Sequence, residues 1–559
     1  MAVQITRHFA TVKSERQVHY RRAGTGKPVI LLHQSPTSSA EYIPLIREIA
    51  EMGYTVIAPD TAGNGLSDPL PNKEWPEMED FADGVANLLT ELGIEKAPVY
   101  GFHTGGVCTL ALALRHPDRV TVAIMDGYVQ MDAAEKAEIL ANYLPEFKYN
   151  WSGSHLTWAW ARFREQSIFF PWYRKDAARR MNYDFPSTAG LQVAVMEFLR
   201  ADDNYRRAYR PAFSFDSANA VRSMKANMLI TTTKTDVLDA YHKLMPTPPA
   251  NVRTQNPATR DQAKAGFIAE IRANPAPKDA PAIVKTKPIA GKIWADFVQA
   301  EGASFYCRRN TDASGRPVVM IHASAGSSYS LDRHATAMIG KRPVISFDLP
   351  GNGESENPMG TNVTVEAQAK YLAAAIKAAG YAEVDVFGYW GGCAVGVELA
   401  VQNPGLVKHL AVPTLMVLED ATRDDYLANY TPKIEYEEYG AHWIKAWNML
   451  RDQELYSPWY KRKKDHIIRG YDPDIAPEVI HRRTVDLFKC LDIYQGAYGA
   501  HFRYPSLERL ANVACPVLLG NPESGATKKA LAAAKKGVAK ALPRDFAALA
   551  TELIAFYNT

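Results

Sequence analysis

The residue with the clearest chemical potential is His103, at the centre of the pentapeptide Gly101-Phe-His-Thr-Gly105. Glycines at both ends of such a pentapeptide let a strand turn sharply into a helix and present the central side chain to a pocket. Imidazole titrates near neutral pH and can serve as a general base, a proton shuttle or a nucleophile. The pattern predicts acid–base chemistry at His103. The alternative is a packed histidine without a chemical role.

Two carboxylates are candidates for orienting this imidazole. Asp126 ends the apolar run Val122-Ala-Ile-Met, and Asp236 follows the run Leu229-Ile-Thr-Thr-Thr-Lys-Thr. An acid bonded to one ring nitrogen fixes the tautomer of a histidine and stabilises its protonated form. The residue pattern favours neither acid over the other, and we keep both as candidates.

Four further side chains could contribute to binding. His33 follows the first apolar run, where it could shape an anion site or simply brace a loop. His155, Trp160 and Arg164 lie on a stretch with helical spacing and offer an imidazole, an indole and a guanidinium to an anionic or aromatic ligand. Packing within a helical cap is the competing interpretation of all three.

The chain contains one module written twice. Gly153-Ser-His155 recurs as Gly440-Ala-His442, and Gly101 recurs as Gly388, both 287 positions later. Asp60-Thr-Ala-Gly-Asn-Gly recurs as Asp348-Leu-Pro-Gly-Asn-Gly, 288 positions later. Motifs that keep their register over half a chain indicate a tandem duplication. We therefore predict domains over 1–275 and 292–559, joined by a proline-rich linker over 276–291.

Secondary structure alternates in each half. Short apolar runs such as Pro28–His33 and Pro317–His322 are typical of buried parallel strands. Amphipathic stretches such as Asp80–Leu92 and Val365–Ala379 predict the intervening helices. Strands that alternate with helices indicate an α/β fold with a parallel, doubly wound sheet.

These motifs, in this order and present twice, resemble the α/β-hydrolase superfamily. The resemblance covers nearly all of both halves and implies two tandem α/β-hydrolase-like domains, each a doubly wound, mostly parallel sheet with a helical cap. The caps would span about 130–215 and 418–505. The resemblance also implies that Asp236 stands at the family's usual position for the acid and Asp126 at its alternative position, and that the backbone N–H groups of Gln34 and Thr104 form an oxyanion site.

The chain departs from this family at the catalytic positions. The central residue of the pentapeptide, a serine in most hydrolases, is His103 in the first half and Trp390 in the second. The stretches before the last helices, Asn256-Pro-Ala-Thr and Lys540-Ala-Leu-Pro, lack the family's histidine. We expect no Ser-His-Asp triad in either half, and a non-catalytic second half, because an indole supplies no acid–base group.

The sequence thus predicts a cofactor-independent enzyme of the first half, a lyase or hydrolase that breaks a carbon–carbon or ester-type bond in a small organic molecule. A non-catalytic ligand-binding protein and a cofactor-free oxygenase are the alternatives.

Composition narrows the partners. The 559 residues carry a net charge of +3 without blocks of like charge, which gives no reason to expect nucleic acid. Five dispersed cysteines form neither a disulfide framework nor a metal pair and suggest a cytoplasmic protein. The sequence has no apolar run long enough to span a membrane. It also contains no motif typical of a metal site or a dinucleotide site. The oligomeric state stays open.

Overall fold

The computed structural model describes residues 3–71 and 73–559, which form two compact units. The first unit comprises the chain up to Lys148, then His155–Lys287 and Tyr436–Gly440. The second comprises Tyr149–Ser154, Pro288–Glu435 and Ala441–Thr559. Each unit therefore contains most of one repeat and one short segment of the other.

The first unit is built on an eight-stranded sheet of order β1-β2-β4-β3-β5-β6-β7-β8. Strands β1 and β2 run antiparallel to each other, β2 runs antiparallel to β4, and all later pairings are parallel. The strands are β1 (Ile5–Val12), β2 (Arg16–Ala23), β3 (Pro28–Leu32), β4 (Thr55–Pro59), β5 (Ala97–Phe102), β6 (Val120–Asp126), β7 (Met228–Thr231) and β8 (Val252–Gln255).

Helices cover both faces of this sheet, so its central strands are buried on both sides. In β3, Ile30 and Leu32 pack into one apolar cluster, and Val29 and Leu31 pack into another on the opposite face. This explains why the strand is an unbroken apolar run. The helices are α1 (Ile43–Glu51), α2 (Met78–Glu91), α3 (Thr104–Arg115), α4 (Ala133–Asn142), α5 (Ser154–Gln166), α6 (Thr188–Ala201), α7 (Asn204–Ser214), α8 (Ser217–Arg222), α9 (Asp239–His242) and α10 (Arg260–Ala273).

The second unit repeats this topology, with a sheet of order β9-β10-β12-β11-β13-β14-β15-β16. Its strands are β9 (Trp294–Ala300), β10 (Ala303–Asn310), β11 (Val318–Ile321), β12 (Val344–Phe347), β13 (Val384–Gly388), β14 (Val407–Val412), β15 (Val517–Leu519) and β16 (Gly537–Ala539). Its helices are α11 (Asp332–Met338), α12 (Val365–Ala378), α13 (Gly391–Gln402), α14 (Asp420–Asn429), α15 (Ala441–Asp452), α16 (Pro477–Lys489), α17 (Tyr494–Arg503), α18 (Ser506–Leu510), α19 (Gly525–Ala533) and α20 (Phe546–Tyr557). The predicted fold class is confirmed in both halves.

Helices α4–α8 and α14–α18 lie between the sixth and seventh strands of the two sheets. Those from α4 to α7 and from α14 to α17 fall within the ranges predicted for the caps. The residues predicted as a linker lie largely against the first unit: the Ala280 N–H donates to the Gly26 carbonyl at 2.9 Å, and the Thr286 hydroxyl donates to the Phe9 carbonyl at 3.1 Å. Among the described residues no helix combines the length and apolarity needed to cross a bilayer.

Candidate active site

The turn from β5 into α3 holds His103 in a backbone conformation that side chains rarely adopt, with φ 47° and ψ −112°. The flanking glycines make this turn possible. A Cβ on Gly101 would lie 2.1 Å from the Gly105 carbonyl oxygen, and one on Gly105 would lie 1.9 Å from the Leu32 carbonyl oxygen. Strain of this kind persists where the surrounding packing enforces it, and it clusters at functional sites.

The imidazole of His103 is hydrogen bonded to Asp236. Its Nε2 lies 3.1 Å and 3.0 Å from the two carboxylate oxygens, and the two side chains are 23% and 7% exposed. Burial opposes ionisation of Asp236, but His103, the backbone N–H of Leu238 and the charge of Arg260 together lower its pKa. When Nε2–H is donated to Asp236, Nδ1 carries the lone pair that can accept a proton.

Two neighbours fix the plane of this ring. Phe102 stacks on the imidazole with ring centroids 3.9 Å apart. Gly127 lies against the ring edge, where a Cβ would come within 2.5 Å of His103 Cδ2. A larger residue at position 127 would therefore displace the imidazole.

Asp126, the other candidate acid, is bonded elsewhere. Nη1 of Arg260 lies 3.0 Å and 2.9 Å from its two oxygens, and the Tyr100 hydroxyl donates to it at 2.8 Å. The carboxyl is fully buried, and this burial raises its pKa. The sequence favoured neither acid, but the structure gives them different partners. Asp236 is hydrogen bonded to His103, and Asp126 is paired with Arg260.

Sequence reasoning missed Arg260 and Tyr183 near this site. The Arg260 guanidinium is 48% exposed and lies over the Phe102 ring, 4.7 Å from its centroid. Tyr183 comes from the cap, and its half-exposed hydroxyl donates to the Thr235 carbonyl, next to Asp236. One signal was available for Arg260, because it opens α10, just after the place where the resemblance led us to look for a histidine.

The predicted oxyanion loop is braced internally. His33 is buried, its Nδ1 lies 2.7 Å from the Gln34 carbonyl, and its Nε2 accepts from the Thr61 N–H at 2.8 Å. The Gln34 N–H donates to a carboxylate oxygen of Glu41 at 3.3 Å, and burial raises the pKa of that carboxyl. Of the two predicted donors, Gln34 is directed at Glu41, and Thr104 opens α3, where the helix dipole favours an anion.

A small cavity lies beneath this loop. It has a volume of about 10 Å³, enough for about one water molecule. It is lined by His33, Ser35, Thr61, Met78, Phe81, Thr104, Gly105, Cys108 and Ala208. The imidazole of His103 is not part of this lining.

Metal and thiol chemistry find little support in the residues present. In the part of the chain that the structure describes, no three His, Cys, Asp or Glu side chains are grouped so that they could hold a metal ion. Cys108, beneath the first elbow, is buried, and this burial raises its pKa to about 12. Its thiol is therefore a poor source of thiolate.

His155, Trp160 and Arg164 lie on α5 in the cap. His155 is buried against Phe147, with ring centroids 5.8 Å apart. Trp160 and Arg164 both donate to the Glu438 carbonyl, at 3.0 Å and 3.1 Å. These contacts belong to the packing of the cap, and the structure does not bring the three side chains to His103.

A model of the alpha/beta hydrolase fold family matches residues 27–242 and 316–423, which together make up more than half of the chain. The chain belongs to this family. Both matched segments contain an elbow turn, so the duplication is one of alpha/beta-hydrolase domains.

Relatives within the family are hydrolases and a haloperoxidase. A putative non-heme haloperoxidase of Mycobacterium phage D29 is 36% identical over 115 residues, 21% of this chain and 39% of that protein. A soluble epoxide hydrolase of Corynebacterium is 37% identical over 121 residues, 22% of this chain and 41% of that protein. The 2-hydroxy-6-oxo-6-phenylhexa-2,4-dienoate hydrolase of Comamonas testosteroni is 32% identical over 117 residues, 20% of this chain and 41% of that protein.

The chain spans about two-fifths of the length of these relatives. Among solved structures, epoxide hydrolase A from Mycobacterium thermoresistibile is 17% identical, with a TM-score of 0.36; the match covers 48% of this chain and 98% of that one.

The second alpha/beta-hydrolase elbow keeps the backbone and changes the chemistry. Trp390 has φ 47° and ψ −118°, and its side chain is 48% exposed. The backbone N–H of Trp390 donates to the Thr414 hydroxyl at 2.6 Å. Ser524, which follows the strand where the first unit carries Asp236, precedes α19 as its N-cap residue. The elbow of the second unit therefore presents an indole where the first presents an imidazole.

Proposed function

We propose that the first unit catalyses proton transfer on a small organic molecule, with His103 as the base and Asp236 as the residue that orients it. The observation that carries this proposal is the 3.0 Å contact between His103 Nε2 and the Asp236 carboxylate at the elbow. The contact supports the proposal because it occurs at the elbow, where the turn presents the side chain, and because the acid favours one tautomer of the imidazole.

The proton moves through His103 Nδ1. That nitrogen removes a proton from a hydroxyl or an activated carbon of the substrate, and Asp236 stabilises the imidazolium that forms. The same nitrogen returns the proton to the product, so the enzyme ends as it began. A positioned base of this kind contributes about 10²–10⁴-fold to a rate.

The oxyanion loop favours a lyase over an ester hydrolase. Acyl transfer builds a full negative charge on a tetrahedral oxygen and usually needs two or more donors there. The Gln34 N–H is directed at Glu41, which leaves Thr104 at the start of α3 as the remaining predicted donor. Cleavage of a carbon–carbon bond next to a hydroxyl begins when the base takes the hydroxyl proton. In a β-hydroxy carbonyl compound the electron pair of the broken bond passes to an enolate, whose charge is delocalised and can be met by the single donor at Thr104.

The test compares matched variants at the two elbows. His103→Ala and Trp390→Ala are assayed against a panel of β-hydroxy carbonyl compounds and aryl esters, with product detection by mass spectrometry. We expect the first variant to lose about 10²-fold or more of any turnover and the second to keep it. Equal turnover by the His103→Ala variant contradicts the proposal.

Two further outcomes identify the alternatives. Ligands that raise the melting temperature without forming product indicate a non-catalytic binding protein. Oxygen uptake that depends on an aromatic substrate indicates a cofactor-free oxygenase.

A further inference from the structure

A hydrogen-bonded row of three polar side chains lies beneath the cap of the second unit. The Ser324 hydroxyl is 2.5 Å from Nδ1 of His501, and Nε2 of His501 is 3.0 Å from the amide oxygen of Gln368. They come from three separate elements: the loop after β11, cap helix α17 and helix α12. Their exposed fractions are 6%, 3% and 0%.

The orientation of the Gln368 amide sets the protonation pattern of this row. The Gln368 amide oxygen accepts, so His501 Nε2 carries the proton, and Nδ1 is the acceptor of the Ser324 hydroxyl. Burial and the nearby His322 lower the pKa of His501 to about 3. The imidazole is therefore neutral at physiological pH and directs a lone pair at a serine hydroxyl, as in a nucleophile–base pair. Because so low a pKa makes it a weak base, we expect transfer of the serine proton to be slow.

The row lies at the start of α13, directly after the second elbow. Gly391 is the first residue of that helix, and a Cβ on it would lie 2.2 Å from His501 Nδ1 and 3.1 Å from the Ser324 hydroxyl oxygen. The positive end of a 12-residue helix thus lies beside the hydroxyl. It would stabilise negative charge that develops on an electrophile there.

The first repeat lacks the imidazole of this row. Tyr205 and Tyr494 occupy matching places, because each donates its hydroxyl to a proline carbonyl, of Pro145 and Pro432 respectively. His501 lies seven residues after Tyr494, and Ala212 lies seven residues after Tyr205. The first unit therefore has an alanine where the second has the imidazole.

The first repeat also lacks the counterparts of Gln368 and Gly391. The matching helices α2 and α12 begin 287 residues apart, which pairs Phe81 with Gln368. The elbow glycines, also 287 apart, pair Thr104 with Gly391. Ser35 and Ser324 are retained in both. Only the second unit combines the serine with a base, an orienting amide and the glycine that leaves room for the base.

We propose that Ser324, His501 and Gln368 form a nucleophilic site in the second unit, beside the second elbow but without its central residue Trp390, that takes small acyl or sulfonyl electrophiles. The Ser324 oxygen bonds to the acyl carbon while its proton passes to His501 Nδ1. The bond to the leaving alkoxide breaks, and His501 returns the proton to it. Water then cleaves the acyl-serine to the free acid. Because the row is buried, access is slow and restricted to small reagents.

The experiment uses the full chain and phenylmethanesulfonyl fluoride, whose sulfur–fluorine bond breaks as the serine–oxygen–sulfur bond forms. Intact mass and peptide mapping locate the adduct. We expect one adduct on Ser324, none on Ser35, and loss of labelling in the Ser324→Ala and His501→Ala variants. The Ser35→Ala variant, the matched change in the first repeat, keeps the adduct.

Folding and independence are checked in the same experiment. Circular dichroism melts show that each variant is folded before it is labelled, and Gln368→Leu provides a second route because it removes the orienting amide without touching the reacting atoms. We expect slower labelling of that variant. Absence of an adduct on Ser324 in the folded protein, or an unchanged adduct in His501→Ala, overturns the proposal. His103→Ala should label normally, so this result is distinct from the fate of the proposed function.

Discussion

His103 and Asp236 face each other across the carboxyl ends of the strands, with Nε2 of the imidazole 3.0 Å from the carboxylate. The histidine occupies the position of a hydrolase nucleophile and contacts directly the acid that in a triad would contact a separate histidine. One side chain thus takes the place of two, and its second ring nitrogen is the only one left for substrate chemistry.

Loss of the acid should cost activity without unfolding the unit. In Asp236→Asn the amide can no longer hold the Nε2–H tautomer as a carboxylate does, so we expect a drop of about 10²-fold or more in turnover, approaching that of His103→Ala. The ¹⁵N shifts of His103 should show a mixture of tautomers. Full activity in Asp236→Asn would remove the orienting role.

Changing the other acid should act on stability. Asp126→Asn removes a fully buried carboxyl that accepts from Arg260 and from the Tyr100 hydroxyl. We expect the free energy of unfolding to fall by about 1–3 kcal/mol, read from the first transition in urea. A fall in turnover equal to that of Asp236→Asn, with unchanged stability, would mean that Asp126 and not Asp236 serves the base.

The interaction of His103 with Asp236 should leave a signature in acid. Because the folded-state pKa of Asp236 is lowered, the interaction contributes stability above the unfolded value of roughly 3.9. It loses that contribution as pH falls through the lower folded value. The stability difference between the protein and its His103→Asn variant should therefore shrink in this acidic window. A difference that is constant with pH contradicts the assignment.

The second elbow offers a test of backbone strain. Trp390 has positive φ, and half of its side chain is in solvent. Glycine adopts this conformation freely, so Trp390→Gly should stabilise the second unit by about 1 kcal/mol, in spite of glycine's greater freedom in the unfolded chain. Thermal melts followed by far-UV circular dichroism measure the change. A clear loss of stability would show that the indole packs more than its exposure indicates.

Gly391 and His501 should behave as a coupled pair. Gly391→Ala places a methyl group 2.2 Å from His501 Nδ1, and we expect a cost of about 1–3 kcal/mol from overpacking. In the His501→Ala background the same change should cost much less, because removal of the imidazole leaves room for the added methyl group. A double-mutant cycle in urea measures the coupling, and simple additivity would show that the two residues do not share this space.

The sequence predicted the fold well, because its signals are local. Buried strands such as β3 are continuous apolar runs, the elbow is marked by glycines that a tight turn requires, and the register of two copies supports each assignment. The short strand β16, which follows α19, is an element that the sequence did not predict. A three-residue strand is too short to leave a periodic pattern.

The site was harder, because its contacts join residues far apart in the chain. His103 was found from the elbow pattern alone. The choice between Asp126 and Asp236 depended on Arg260, which neutralises the first of them from 134 positions away. The spacing of Trp160 and Arg164 was correct as a helical stripe, but periodicity does not tell which surface a cap helix turns toward. Their shared contact is the Glu438 carbonyl, in the other repeat.

The two elbows share almost the same backbone angles, 47° and −112° against 47° and −118°. The backbone conformation of this turn is thus nearly the same whether its central residue is His103 or Trp390. Duplication produced two elbows with nearly the same backbone, and the side chains at their centres have since diverged. Each elbow is therefore an internal control for the other: the effect of a substitution at one can be compared with the same substitution at the other, in the same molecule.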